Sequence, residues 1–295
     1  MRNNRKAPEI IEETDTYKIV KHGNGGVNHV SKEYADAMSH TVEWALKPTR
    51  AAWNEFKKFL QPDMPGRYKD NWEAKALELN NNKEDIICAS IGGLYRMPEF
   101  WLGVEELSFL PYDDPTLFEE ILDTLTNLYI TTYTPVLEKV NFDLVYVFED
   151  CCGSSGPLVS PNIYNQFYKK YYRKLTDFFH SYGIKVMMDS DGYIDDLIPC
   201  WMDSGIDILF PLEVGKWKAS PMKFRETYGT NLRLFGGFNK HAIAKGEKAI
   251  RAELEPMLPL VKEGGFIPIP DHKISPECSL QQFKDYVEIF KNIFK

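Results

Sequence analysis

The chain has 295 residues, of which 43% are hydrophobic and 26% charged, the composition of an ordinary globular protein with one large domain or two small ones. Its formal net charge of −8 argues against nucleic acid as a main partner, because phosphate binding requires a basic face. No apolar run reaches the ~18 residues that cross a bilayer, and the N-terminus lacks an apolar signal segment. Five cysteines without a CxxC pair indicate reduced thiols. We therefore expect a cytoplasmic protein that has no membrane partner.

The first 84 residues have a mixed pattern, and we expect them to form an extension that packs on the main body. Residues 14–30, TDTYKIVKHGNGGVNHV, alternate and carry glycines, which predicts a hairpin-like element or a loop. Residues 31–47 are expected to form a helix or an extended linker. Residues 49–62, TRAAWNEFKKFLQP, are amphipathic and predict a short helix that ends at Pro62.

From residue 85 to residue 295, short apolar runs alternate with longer segments of helical period. Continuous apolar runs are typical of strands buried on both faces of a parallel sheet. The alternation predicts an α/β fold, either a TIM (β/α)8 barrel or a doubly wound sheet. A barrel needs two further strands, of which one is expected near Tyr17–Val20, so its N-terminal part would be incomplete or shortened. The six runs are DIICASIGG (85–93), LVYVFED (144–150), IKVMMDSDG (184–192), ILFPLE (208–213), LRLFGGFN (232–239) and GFIPIPDH (265–272).

Two helices between or after these runs have clear boundaries. One is expected to start with Ser160 as its cap and Pro161 at its first position, and to end at Gly183. The last helix is expected to start near Ser279.

Polar residues occur where the predicted strands end. Barrel enzymes carry their catalytic groups at the C-terminal ends of the strands. For any one acid the alternative is a capping role, because aspartate often caps the helix that follows. These strand-end residues are Glu149, Asp150, Asp189, Asp191, Glu213, Asn239, Asp271 and His272.

Asp189 and Asp191 are two residues apart at one strand end, and alternate residues of an extended chain project on the same side. Two adjacent carboxylates ionise together only at a cost unless a cation or a proton lies between them. The pair therefore predicts a metal site or a shared-proton acid; the alternative is a turn in which Asp191 caps the next helix and Asp189 is solvated. His272 has the best context of the six histidines, as a general base, a metal ligand or a buried hydrogen-bonding residue.

The order GPLVSP, HSYGIKVMMDSDGYIDDLIPCWMDSGIDILFPLE, LRLFGGFNK and GGFIPIPDH…SPE resembles the uroporphyrinogen decarboxylase superfamily. It resembles more closely the branch that includes the corrinoid-dependent methyltransferases, and this resemblance implies a single TIM barrel. Zinc enzymes of that branch use a His-x-Cys pair at one strand end and a cysteine near the end of the last strand. Here Asp189 and Asp191 stand at the first pair and His272 at the last position. The resemblance implies that these three are catalytic residues that hold zinc, another divalent metal or the reacting proton.

The resemblance also implies a function, namely methyl transfer from a small methylated or methoxylated compound to a corrinoid. This chain has no Asp-x-His-x-x-Gly motif, so the corrinoid would be carried by a partner protein, and no cofactor would be bound covalently. Dimers occur in the family, which leaves a homodimer open. The residues expected to orient the substrate are Glu149, Asp150, Glu213, Tyr193 and Asn239.

Two alternatives to methyl transfer stay open. The first is a decarboxylase of a carboxylated compound, in which His272 and an aspartate move protons without a metal. A porphyrinogen is disfavoured as its substrate because the strand ends are acidic. The second is a non-catalytic binding subunit of a larger assembly.

Overall fold

The computed structural model describes residues 7–33, 39–64, 66–81, 84–215, 217 and 219–295. The chain divides into two compact units whose segments alternate along the sequence. The first unit contains the described residues of Met1–Ile87, Gly92–Phe142 and Lys170–Phe178, and the second contains those of Cys88–Ile91, Asp143–Lys169 and Phe179–Lys295. The division predicted after residue 84 stays a prediction.

The first unit begins with a four-stranded antiparallel sheet. Its strands follow one another in chain order: β1 (Glu9–Glu13), β2 (Tyr17–Lys21), β3 (Val27–Ser31) and β4 (His40–Glu43). The hairpin predicted for residues 14–30 is confirmed as β2 and β3. The turn between them closes where the amide of His22 donates to the carbonyl of Gly26 at 2.8 Å, with Gly25 at φ +96°.

One expectation for this region is wrong. The strand expected near Tyr17–Val20 as part of the barrel is β2, which pairs with β1 and β3 in the antiparallel sheet. Residues 31–47 were expected to form a helix or an extended linker, and their described part contains the extended strand β4 and no helix. Residues 34–38 of that segment lie outside the described residues.

The helices of the first unit follow this sheet. Thr49 caps α1 (Arg50–Phe56), and a 3-10 turn, Lys57–Leu60, completes it, so the predicted short helix before Pro62 is confirmed. The later helices are α2 (Trp72–Asn81), α3 (Arg96–Leu102), α4 (Val104–Asp113) and α5 (Pro115–Leu137). No helix in the described part of the chain combines the length and the apolarity that a bilayer crossing demands.

A six-stranded sheet contains all six predicted apolar runs. Its order is β12-β11-β10-β9-β6-β5, and the neighbours from β12 to β6 pair in parallel. A two-stranded antiparallel hairpin, β7 with β8, follows β6. The strands are β5 (Cys88–Gly92), β6 (Leu144–Phe148), β7 (Cys152–Gly153), β8 (Gly156–Pro157), β9 (Lys185–Asp189), β10 (Ile208–Leu212), β11 (Arg233–Phe238) and β12 (Phe266–Pro270).

The α/β prediction is therefore confirmed, while the closed eight-stranded barrel is not seen. Within the described residues, the parallel sheet has six strands and its edges are β12 and β5. The sequence could not show that the barrel lacks strands, because the antiparallel strand β2 and a barrel strand of the same length have similar sequence patterns.

The predicted helix boundaries are confirmed. Ser160 caps a helical segment made of α6 (Pro161–Ile163), a π-helical turn (Tyr164–Tyr168) and α7 (Lys169–Ser181), and Gly183 follows at φ +77°. Ser279 and Gln282 form a capping box at the start of the last helix. The remaining helices are α8 (Ile198–Asp203), α9 (Pro221–Tyr228), α10 (His241–Ala244), α11 (Glu247–Leu254), α12 (Leu258–Glu263) and α13 (Leu280–Ile293).

One face of the parallel sheet is apolar up to its carboxyl edge. The register pairs Tyr146 with Met187 and Phe148 with Asp189, so that these four side chains share a face. The same face carries the buried cluster of Leu144, Met187 and Ile208, with Tyr146, Phe210 and Phe235 packed against it. Asp189 therefore ends β9 at the polar boundary of an apolar surface.

Candidate functional site

Three side chains from three strand ends form a group with the donor atoms of a metal site. One ligand atom each from Asp191, Glu213 and His272 lies within 4.8 Å of the others. The Nε2 atom of His272 is 3.4 Å from Oδ2 of Asp191. All three side chains are partly exposed, so that the group is open to solvent. We call these residues the DEH group.

The backbone links the loops that carry two of these ligands. Glu213 follows β10, and its Oε2 atom accepts a hydrogen bond from the amide of Gly192 at 2.8 Å. Gly192 adopts φ +89°, and a Cβ there would come within 2.8 Å of the carbonyl oxygen of Gly153. Only glycine meets both conditions without strain. The chain at 192 thus packs against β7 and holds Asp191 beside Glu213.

Asp189 is not a member of the DEH group, although the sequence predicted it there beside Asp191. Alternation of side chains holds within an extended strand, and β9 ends at Asp189. Beyond it the amide of Ser190 still donates to the carbonyl of Phe210 at 2.9 Å, but the regular strand has ended, and the chain bends at Gly192. The Asp189 carboxylate instead accepts a hydrogen bond from the hydroxyl of Tyr146.

Burial and neighbouring charge change the acidity of this pair. Asp189 is 7% exposed, and burial raises its pKa to about 6; the charges of Asp191 and Asp150 also raise it, while the Tyr146 hydrogen bond and His272 lower it. Burial, followed by the bond to Asp189, raises the pKa of the Tyr146 hydroxyl far above its usual range. Asp189 therefore exchanges a proton near neutral pH.

Glu213 has a raised pKa for a similar reason. Burial is the largest cause and the charge of Asp191 adds to it, whereas the hydrogen bond from the Gly192 amide and the charge of His272 oppose it. Carboxylates whose charges oppose one another in this way attract a cation. This electrostatic arrangement fits a divalent metal.

Asp271 holds three strand ends together. It is 3% exposed, and its Oδ2 atom accepts hydrogen bonds from the amides of Val214 at 3.2 Å and Gly215 at 2.9 Å. Its Oδ1 atom accepts from the amide of Lys240 at 3.0 Å. The residue that precedes His272 thus fixes β12 to the segments after β10 and β11.

The other predicted substrate-binding residues lie near these strand ends but outside the DEH group. Glu149 is 1% exposed, and its amide and that of Asp150 both donate to the carbonyl of Asp189, at 3.0 and 2.9 Å. Asp150 has φ +43°, a conformation that aspartate tolerates better than most residues. The Oδ1 atom of Asn239 accepts a hydrogen bond from the amide of His241, and Tyr193 is 38% exposed. Their roles with a substrate stay predictions.

Sequence reasoning missed two features of the site. It assigned Glu213 to substrate binding, whereas the structure brings it together with Asp191 and His272. It did not assign Tyr146 a polar role. The adjacent Cys151 and Cys152 are buried, and all five cysteines are free of disulfides. The polar role of Tyr146 could have been inferred from its position two residues before the end of β6. If the pairing of β6 with β9 had been known, it would have placed Tyr146 near Asp189.

Comparisons with known proteins agree with the fold. The model of the uroporphyrinogen decarboxylase (URO-D) family matches residues 101–293. A methyltransferase from Methanosarcina mazei superimposes with a TM-score of 0.58 and 19% identity, over 76% of this chain and 63% of that chain. At this identity the likeness shows the fold alone, and this chain spans less than two thirds of that neighbour's length.

A second solved structure, a Xaa-Pro dipeptidase with bound methionine in the active site, has a TM-score of 0.33 and 11% identity, over 70% of this chain and 53% of that chain. This similarity is too low to support an argument. No curated protein sequence matches the chain significantly.

Proposed function

Because the chain belongs to the uroporphyrinogen decarboxylase family, we propose that it is an enzyme of that family that removes a methyl group from a small methylated or methoxylated compound. The methyl acceptor would be a corrinoid carried by a partner protein. The observation that carries the proposal is the convergence of Asp191, Glu213 and His272 within 4.8 Å.

The DEH group fits a divalent metal. One imidazole and two carboxylates leave a coordination position for a substrate atom, as in catalytic zinc sites, and suit manganese or iron as well. Ligands about 2.0–2.2 Å from a tetrahedral ion lie roughly 3.4 Å apart, close to the 3.4 Å between His272 and Asp191. When bound, the metal would act as a Lewis acid on an ether or hydroxyl oxygen of the substrate.

Asp189 would supply the proton that a departing oxygen needs. Its pKa of about 6 leaves it partly protonated near neutral pH. The Tyr146 hydroxyl donates to Oδ2, so that the proton of the neutral acid would sit on Oδ1. The apolar residues of β6 and β10 would exclude water from this acid.

Metal binding tests the proposal directly. The purified protein is stripped with a chelator, titrated with Zn²⁺ and Mn²⁺, and its affinity is measured by calorimetry. Asp191→Asn, Glu213→Gln and His272→Ala are each expected to weaken binding at least about tenfold, the lower end of the loss for groups that support a metal. The matched control is Asp189→Asn, which removes a carboxylate charge two residues before Asp191 without removing a member of the DEH group, and it is expected to change affinity far less.

The measured pattern decides the ligand set. Equal losses in Asp189→Asn and Asp191→Asn, with unaltered binding in Glu213→Gln, would restore the Asp189–Asp191–His272 set that the sequence predicted. Unaltered binding in all four variants would contradict a metal site here. Methyl transfer itself is measured as methylcobalamin formed from reduced cobalamin and a methylated donor.

Decarboxylation of a small carboxylated compound is the second candidate. The Asp189–Tyr146 pair favours it, because a decarboxylase needs an acid that protonates the carbon after CO₂ leaves. Metal-stripped protein separates the two reactions. CO₂ release that persists without metal, and that Asp189→Asn abolishes, would support the decarboxylase.

A further inference from the structure

A cavity of about 310 Å³ lies in the first unit, between the β2–β3 turn, the end of β4 and helix α3. This is the size range of sites for small molecules. Its lining includes three aromatic side chains and one carboxylate, from Trp44, Phe100, Trp101 and Glu43. It shares no residue with the DEH group, so that it needs an explanation of its own.

Trp44 is fixed as one wall of the cavity. Its indole lies on Gly103, where a Cβ would come within 2.5 Å of the ring and where φ is +82°. The amide of Leu46 donates to the carbonyl of Trp101 at 2.9 Å, which ties the chain after Trp44 to the end of α3. Trp44 is nevertheless 40% exposed. A tryptophan held this firmly yet left open is suited to contact a ligand.

The other aromatic residues complete the cavity from α3. Trp101 is 2% exposed, and its ring packs 4.9 Å from that of Phe56 in the core. Phe100, its neighbour, is 43% exposed. One rigid buried ring and two accessible ones therefore line the same space.

The charges around the cavity favour a cation. Glu43 is exposed, and no lysine or arginine occurs among the described residues of the lining. Beside the cavity, the guanidinium of Arg96 lies 4.4 Å from the ring centroid of Phe100 and is ion-paired with Glu99 at 3.0 Å. Its charge is therefore balanced by a neighbour, while that of Glu43 is available to a ligand.

We propose that this cavity binds a small organic cation that carries methyl groups on its nitrogen, such as a quaternary ammonium compound. Aromatic rings attract a cation that approaches their faces, and sets of such rings recognise quaternary ammonium groups. The N-methyl groups bury apolar surface against Trp44 and Phe100, which a strongly hydrated primary ammonium does not. Glu43 balances the positive charge. This inference goes beyond the proposed function and does not depend on the DEH group.

The test compares choline with 3,3-dimethylbutan-1-ol, which has the same shape but a neutral carbon in place of the nitrogen. Both are titrated into the full chain, and binding is followed by calorimetry and by saturation-transfer NMR of the methyl protons. Choline is expected to bind about tenfold or more tightly than the alcohol, the factor that a desolvated cation–π contact supplies.

Three variants locate the binding. Trp44→Leu is expected to weaken choline binding about tenfold. Trp72→Leu is the matched control, since it makes the same change in α2 outside the cavity, and it is expected to leave binding unaltered. Glu43→Gln is expected to weaken choline binding several-fold and to leave the alcohol unaffected, because only the cation interacts with the lost charge.

Three results would overturn the proposal: equal affinity for choline and the alcohol, no choline binding at about 10 mM, or equal losses in Trp44→Leu and Trp72→Leu. Circular dichroism shows whether each variant folds. Should Trp44→Leu fail to fold, the comparison of the two ligands on the unaltered chain still decides whether the cavity recognises a cation.

Discussion

Replacing Asp271 with alanine would remove the acceptor of three backbone hydrogen bonds at once. The amides of Val214, Gly215 and Lys240 donate to this carboxylate at 2.9–3.2 Å, and the residue is 3% exposed. Hydrogen bonds to a charged group contribute roughly 1.5–3 kcal/mol each. The three bonds are only partly buried, so water can replace part of what the amides lose. Allowing for non-additivity, we expect Asp271→Ala to lower the free energy of unfolding by about 4 kcal/mol.

The assay is urea unfolding followed by circular dichroism, at one pH and in the absence of metal. Asp271→Asn keeps the size of the side chain and one acceptor oxygen, so it is expected to lose roughly half as much. Asp177→Ala is the control, because Asp177 is 61% exposed and its ion pair with Arg173 lies on a helix surface. A loss in Asp271→Ala no larger than that in Asp177→Ala would refute the structural role of Asp271.

Three further predictions concern the site. In metal-free protein the free energy of unfolding should fall by about 1.4 kcal/mol between pH 5 and pH 8, because the folded pKa of Asp189, about 6, exceeds the ordinary value of 3.8 and the folded state binds more protons over that range. Asp189→Asn should remove most of this fall, while the raised pKa of Glu213 leaves a smaller remainder. A pH series of urea midpoints measures the difference. Gly192→Ala should lower both stability and zinc affinity, since its Cβ would meet the carbonyl of Gly153 at 2.8 Å. Zinc at about 100 times its Kd should stabilise the protein by ~2.7 kcal/mol in urea unfolding, and the same zinc concentration should stabilise His272→Ala by about 1.4 kcal/mol or less, because its affinity is at least about tenfold weaker.

The parallel sheet could be predicted from the sequence, while the antiparallel sheet could be predicted only in part. Strands buried on both faces are continuous apolar runs, and all six such runs became strands. β1, with the sequence EIIEE, is exposed along its whole length and has no apolar face to recognise. β4 is almost as exposed. Their pairing depends on contacts between strands, and the pattern of apolar residues within one strand does not reveal such contacts.

The candidate site shows the same limit at the level of single residues. Asp191 and His272 were expected together because the family resemblance places them at the positions of its metal ligands. Glu213 was expected at the same edge but in substrate binding, because its position in the sequence does not show the direction in which its carboxylate projects. Asp189 was assigned to the site because alternate side chains of a strand project on the same side. This rule no longer holds beyond Asp189, where β9 ends.

The different surroundings of Asp189 and Asp191 have a chemical consequence for the proposed enzyme. If Asp189 and Asp191 projected together, a single cation would neutralise both, and no carboxyl group there would hold a proton near neutral pH. In the structure, one carboxylate meets the Tyr146 hydroxyl in a buried setting and the other lies with Glu213 and His272 in a partly exposed one. In the proposed enzyme, a proton carrier and a metal ligand would therefore lie two residues apart and act on the same substrate. Inserting a residue after Ser190 should disturb the DEH group while leaving the Asp189–Tyr146 pair, so that zinc binding is lost and the fall in stability between pH 5 and pH 8 is kept.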